Sequence, residues 1–156
     1  MPIVEHRKCS VFDTEAEVVA HQVNCFGVMG SGVAKQVKEL FPEVYTSYRN
    51  HCIIEDKSAL LGRCLMVKTT KTSPQYIANI FGQFGYGSDG RRRTDYQAVE
   101  TSLRYLRSNM KMRDLHTVAI PYKMSCDRGG GDWNVIKDLI NQNLRDIDVI
   151  VCEWKP

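Results

Sequence analysis

Apolar residues fall into short continuous runs separated by stretches of helical period. Val18-Val19-Ala20-His21-Gln22-Val23 has the length and β-branched content of a buried strand. Leu65-Met66-Val67, Tyr76-Ile77-Ala78-Asn79-Ile80-Phe81, Thr117-Val118-Ala119-Ile120 and Val149-Ile150-Val151-Cys152 read the same way, and Ile3-Val4 predicts an edge strand. Between them the spacing changes. Val33, Val37, Leu40 and Phe41 share one helical face, and Pro42 stops or kinks that helix. Val99, Leu103 and Leu106 share a second face, preceded by Thr94-Asp95-Tyr96-Gln97, a T-x-x-Q capping-box pattern. Trp133, Ile136 and Ile140 share a third. Strands alternating with helices predict an α/β sandwich with a mostly parallel central sheet. Such sheets bind ligands beyond the carboxyl ends of their strands.

Composition narrows the class. The 156 residues make one domain, 1–156, long enough to bury a core without staples. An apolar fraction of 43% and a charged fraction of 25% are ordinary for a soluble protein. No run of about 18 apolar residues predicts a membrane span. The N-terminus lacks the layout of an export signal, so a cytoplasmic protein is expected. The six cysteines form no C-x-x-C pair and read as reduced thiols, mostly buried. No metal-ligand constellation is visible, so no metal or cofactor is expected. A net charge of +3 permits anionic ligands without demanding nucleic acid.

Two glycine-rich loops carry the candidate chemistry. Asn24-Cys25-Phe26-Gly27-Val28-Met29-Gly30-Ser31-Gly32 leaves the first buried strand and enters a helix near Val33. It reads as a phosphate and ribose cradle, or as a plain strand-to-helix turn. Tyr122 to Trp133, with Gly129-Gly130-Gly131 at its centre, links another strand to another helix. It reads as an anion nest, or as a flexible surface loop. Two cradles facing one crevice suggest a diphosphate. The P-loop, G-x-G-x-x-G and G-x-S-x-G patterns are absent.

Val23-Asn24-Cys25-Phe26-Gly27-Val28-Met29-Gly30-Ser31-Gly32-Val33-Ala34, followed by Phe41-Pro42, resembles the first ligand loop of macrodomains. Ile120-Pro121-Tyr122-Lys123 through Gly130-Gly131-Asp132-Trp133 resembles the second, and Asn79 to Gly87 a further segment of the phage and bacterial branch. That branch includes ADP-ribose-1″-phosphate phosphatases and ADP-ribosyl glycohydrolases. The resemblance implies a three-layer α/β/α sandwich around a mixed sheet, with ADP-ribose in a surface cleft. It implies Asn24 near the distal ribose, with Gly30, Ser31, Gly32 and Val33 lining that ribose and the diphosphate. Ser125, Cys126, Gly129, Gly130 and Gly131 are implied to close over the diphosphate. Two departures stand out. Ser10 occupies the place of an acidic residue that reads adenine. Gln83 falls near a lysine of the glycohydrolase members, which disfavours a lysyl intermediate.

Three residues are candidates for catalysis. Asp132, at a helix start, is an N-cap or a carboxylate that orients water at the distal ribose. Asp127 is its rival as base. His21 is a hydrogen-bonded core histidine, or the histidine that the resemblance assigns to the phosphatase members. Cys25 and Cys126 read as packing or weak ligand contacts. Arg91-Arg92-Arg93 is a solvated turn or a steering patch, and Tyr86 a ligand cover or a surface aromatic. The expectation is a monomer that binds ADP-ribose and hydrolyses its derivatives at the distal ribose without a metal. The substrates are ADP-ribose-1″-phosphate or ADP-ribosyl esters on protein or nucleic acid. A non-catalytic reader of ADP-ribosylated targets and a nucleic-acid binder are the alternatives.

Overall fold

Side-chain parity along the first buried strand decides the layering. Val18 and Ala20 pack with Val99, Leu103, Leu106 and Ile136, whereas Val19 and Val23 pack with Val37, Phe41, Val44 and Tyr48. Successive residues of a strand point to opposite faces, so this strand is covered on both. The computed structural model describes residues 1–87, 91–126 and 129–154. Its strands are β1 (Ile3–Arg7), β2 (Val18–Val23), β3 (Cys64–Lys68), β4 (Tyr76–Phe81), β5 (Thr117–Pro121) and β6 (Asp148–Cys152). They form one sheet in the order β1-β6-β5-β2-β4-β3. Every neighbouring pair is parallel except β3 with β4. Helices α1 (Gly32–Leu40), α2 (Pro42–Ile54) and α3 (Lys57–Leu60) cover one face, and α4 (Tyr96–Met112) and α5 (Trp133–Asn143) the other. The fold is the expected three-layer α/β/α sandwich with a mixed, mostly parallel sheet.

Leu103, Leu106, Ile136 and Ile140 are fully buried on the α4/α5 side, each contributing about 2 kcal/mol by removal from water. The helix starts differ in a way that matters for the site. Asp56, Asp95 and Asp132 cap α3, α4 and α5 by accepting bonds from the backbone N–H of Ser58, Ala98 and Asn134. The capping box expected at Thr94 is therefore corrected: Asp95 is the cap, and Thr94 Oγ1 donates to the Ser125 carbonyl at 2.8 Å. Pro42 ends α1 and opens α2 as its first residue, where its missing N–H costs nothing. Leu40 was expected on the buried face of α1 but is 46% exposed. Phe41, one residue on, fills that place against the sheet. The cysteines are all free thiols, but only Cys25, Cys52 and Cys152 are fully buried. No helix among the described residues is long and apolar enough to cross a membrane.

Candidate functional site

The sheet order places β2 between β5 and β4, with the connection leaving β2 on one face and that leaving β5 on the other. Loops at a reversal of this kind part and leave a crevice. A cleft of about 980 Å³ opens there, the size of a small-molecule site. It runs from Ser10, Glu153 and Trp154 beside the β1–β6 edge to Gln83 and Tyr86 beyond β4. Asn24, Gly30, Ser31, Gly32 and Val33 line one wall, and Tyr122, Ser125 and Gly129 contribute to the other.

The first loop is held open by its own side chains. Asn24 Oδ1 accepts the N–H of Phe26 at 2.9 Å and the hydroxyl of Tyr48 at 3.0 Å, while Nδ2 donates to the Val28 carbonyl at 2.8 Å. Asn24 thus shapes the loop as well as lining the cleft, and one Nδ2 hydrogen is left over. Gly32 has φ +60, and a Cβ there would meet nothing within 4 Å. Ser31 is the N-cap residue of α1, yet its side chain makes no capping bond and the first turn holds no acidic residue. A helix start leaves its first N–H groups without intrahelical partners and carries a partial positive charge. Here that start lines the cleft uncapped.

The second loop differs. The Gly131 N–H donates to the Ser125 carbonyl at 2.8 Å, and the Gly129 carbonyl accepts from Arg93 and Thr94. A Cβ on Gly131 would approach that Ser125 carbonyl to 2.8 Å, and one on Gly130 would stand 3.1 Å from Arg92 Cα. The glycines are therefore required by close packing, and the Gly131 N–H is already spent within the loop. Gly129 lines the cleft; Gly130, Gly131 and Cys126 do not. Asp132 does not either: its carboxylate is exposed and accepts the Asn134 N–H at 2.8 Å, which makes it the α5 cap. Asp127 lies outside the described residues.

Beneath the cleft are two polar clusters. Gln22 Nε2 donates to Gln83 Oε1 at 2.7 Å and to Thr94 Oγ1 at 3.0 Å, while the Ser125 hydroxyl bonds Gln22 Oε1. Gln83 Nε2 donates to the Gly85 carbonyl at 2.7 Å. This network ties β2 to the loops after β4 and β5. Gln22 escaped the sequence reading because nothing local marks it, and Thr94 was read only as a helix cap. The second cluster centres on His21, which is buried and lines the cleft. Its Nε2 lies 2.8 Å from Asn79 Oδ1, and Asn79 Nδ2 donates to the Leu65 carbonyl. That orientation makes His21 Nε2 the protonated nitrogen. Nδ1 has no partner and presents a lone pair. Burial lowers the His21 pKa to about 4, against a smaller opposing effect of the Asn79 bond. The ring is neutral at pH 7.

The remaining candidates fall to the periphery. Burial pushes the Cys25 thiol up to about 11, so no thiolate stands ready at neutral pH. Ser10 Oγ accepts the Phe12 N–H at 3.3 Å. Glu153 brings a carboxylate to the same end of the cleft, paired with His6 at 3.0 Å. Arg92 stacks on Tyr96 at 4.5 Å, and none of the three consecutive arginines lines the cleft. Among the described residues no group of three or more His, Cys, Asp or Glu is placed to hold a metal.

The macro domain family model matches residues 20–140. The DNA ADP-ribosyl glycohydrolase of Mycobacterium tuberculosis is 30% identical over 143 residues, covering 89% of this chain and 38% of that protein. This chain thus spans under two fifths of that relative. The ADP-ribose 1″-phosphate phosphatase of Debaryomyces hansenii is 25% identical over 158 residues, covering 87% of this chain and 88% of that one. The macrodomain of Mycobacterium tuberculosis DarG superposes with a TM-score of 0.77 at 25% identity, covering 97% of each chain.

Proposed function

The chain belongs to the macro domain family, and on that premise we propose that it binds ADP-ribose in the cleft and hydrolyses a substituent from the distal ribose. The observation that carries the reading is the uncapped start of α1 at Ser31 and Gly32 inside the cleft. Its N–H groups and partial charge suit a diphosphate. The names of two relatives, a glycohydrolase and a phosphatase of ADP-ribosyl compounds, agree on the ligand and differ on the bond broken.

In this reading the adenosine lies toward Ser10, Glu153 and Trp154, and the distal ribose toward Asn24 and Gln83. His21 Nδ1 accepts a hydrogen bond from a ribose hydroxyl or a water. With a pKa near 4 it orients that group and is a weak base toward it. Asp127, between Ser125 and Gly129 in sequence, is the proposed carboxylate that takes the proton from water. Gln83 supplies no amine, so a lysyl intermediate is not part of the proposal.

Calorimetric titration with ADP-ribose, against AMP and NAD, tests the cleft. One-to-one binding near −8 kcal/mol, about micromolar, is the expected outcome. Turnover of ADP-ribose-1″-phosphate and of an ADP-ribosylated oligonucleotide then identifies the bond. Loss of turnover in Asp127→Ala and His21→Ala with binding retained supports hydrolysis. Binding with no turnover of either compound by the wild type would make the protein a reader.

A further inference from the structure

Two thiols meet beside the cleft. Cys9 Sγ donates to Cys152 Sγ at 3.9 Å, and Cys152 Sγ in turn donates to the Ile150 carbonyl. The strand pairing explains the meeting. β1 runs parallel to β6 with Arg7 opposite Cys152, and the Glu153 N–H donates to the Arg7 carbonyl at 2.9 Å. Cys9 comes two residues after Arg7, in the bend that leaves β1. Both thiols lie on the α1/α2 face of the sheet. Cys152 is buried on a strand paired on both sides, whereas Cys9 is half-buried and past the end of the ladder. The residues that follow them, Ser10 and Val11 on one side and Glu153 and Trp154 on the other, line the cleft, as does Cys152 itself. Burial, and next the adjacent Cys9, push the Cys152 thiol up to about 12. Cys9 is therefore the sulfur that meets a reagent from solvent.

We propose that Cys9 and Cys152 are a peroxide-sensitive thiol pair whose disulfide reshapes the end of the cleft assigned to adenosine. Cys9 attacks the O–O bond of a hydroperoxide, keeps one oxygen as a sulfenic acid and releases water or an alcohol. The Cys152 sulfur then displaces that oxygen. The S–S bond forms, the S–O bond of Cys9 breaks, and the hydroxyl leaves as water with the Cys152 proton. The two sulfurs together give up two electrons, which the hydroperoxide takes. Contact between the thiols makes the second step intramolecular. A disulfide bond is about 2 Å long, so the sulfurs must close by roughly 2 Å. β6 is held on both sides, so the movement falls on the bend after β1 and carries Ser10 and Val11 with it. The effect on the ligand rests on the ADP-ribose reading of the cleft; the thiol pair itself does not.

The test treats the full chain, purified reduced, with hydrogen peroxide. Intact mass, disulfide-linked peptides and ADP-ribose titration are followed on the same samples. Loss of two hydrogens and a linked peptide pair carrying Cys9 and Cys152 are expected. ADP-ribose affinity is expected to fall about tenfold on oxidation and to return with dithiothreitol. Cys9→Ser is expected to bind ADP-ribose as the wild type does and to keep that affinity in peroxide. Cys152→Ala is expected to stop at a sulfenic acid on Cys9, which dimedone traps. Unreacted thiols, links confined to other cysteines, or oxygen added to wild-type Cys9 without a link overturn the pair. A Cys9–Cys152 link that leaves affinity unchanged overturns its effect on the cleft. Cys9→Ser that loses affinity in peroxide as the wild type does overturns the proposal too, since another thiol is then responsible. A reduced wild type that binds no ADP-ribose sinks the proposed function, and the linked-peptide map then decides the thiol pair by itself.

Discussion

The two glycine-rich loops look alike in sequence and differ in what their backbones have left to offer. After β2, glycines at 30 and 32 lead into a helix whose first N–H groups face the cleft without a cap. After β5, the Gly131 N–H is committed to Ser125, the Gly129 carbonyl to Arg93 and Thr94, and the helix start to Asp132. A glycine says that a backbone needs room. Whether the room admits a ligand or a neighbouring carbonyl depends on what the fold brings up against it. The first loop therefore brings an uncapped helix start to the cleft, whereas the second spends the Gly131 N–H and its helix start on internal bonds.

The largest test of this contrast is pH. His21 lies on β2 under the first loop and titrates near 4 when folded, against an ordinary value of 6.5. Below 6.5 the unfolded chain takes up a proton that the buried ring refuses. Stability present above pH 6.5 is thus lost as pH falls toward 4, by about 3 kcal/mol. Chemical denaturation across that range measures it, and His21→Gln should flatten the slope. An unchanged slope would mean that His21 is not the group responsible.

Glycine substitution comes next. Gly129→Ala pushes a methyl against Thr94 Oγ1 and to 2.6 Å from the Ser125 carbonyl, and should cost about 2 kcal/mol. Gly30→Ala meets only Val28 Cγ1 at 3.7 Å, and should leave the thermal midpoint nearly unchanged. Equal losses at the two sites would erase the distinction between the loops.

Ser31→Asp places a carboxylate at the uncapped α1 start. It should lower ADP-ribose affinity about tenfold, or 1.4 kcal/mol, while raising stability slightly through the new cap. Affinity that holds steady would remove the diphosphate from α1. The smallest effect is expected at the second loop. Asp132→Ala should cost about 1 kcal/mol of stability as a lost cap and leave ADP-ribose affinity as it was. A large fall in affinity would return that carboxylate to the site.

Much of the fold was legible because its central strands, β2, β4, β5 and β6, are buried on both faces and read as continuous apolar runs. Helix α2 was passed over, although Val44, Tyr48 and Cys52 recur at every fourth position and are all buried. Pro42 drew attention as a stop, when its place as a first helical residue makes it equally a start. The capping box at Thr94 failed by one residue, because the Thr94 hydroxyl is drawn to Ser125, 31 positions away. Of the site, the β2 loop was readable from its glycines and its helix. Gln22 and Glu153 were not, since each meets its partners, Gln83 and His6, only through the fold.

The order of the strands, helices α1, α4 and α5 and the loops at the carboxyl ends of β2 and β5 were legible in the sequence through periodicity and glycine placement, and the family through the resemblance of those loop segments. Three things were decided only in the tertiary structure. They are which helix start stands uncapped in the cleft, that His21 is neutral with one lone pair unpartnered, and that Phe26, Phe84 and Tyr86 meet ring to ring. Each depends on distances between segments far apart in the chain. A hydrogen bond acts over about 3 Å, and a local pattern cannot say which distant carbonyl, amide or ring will come within that reach.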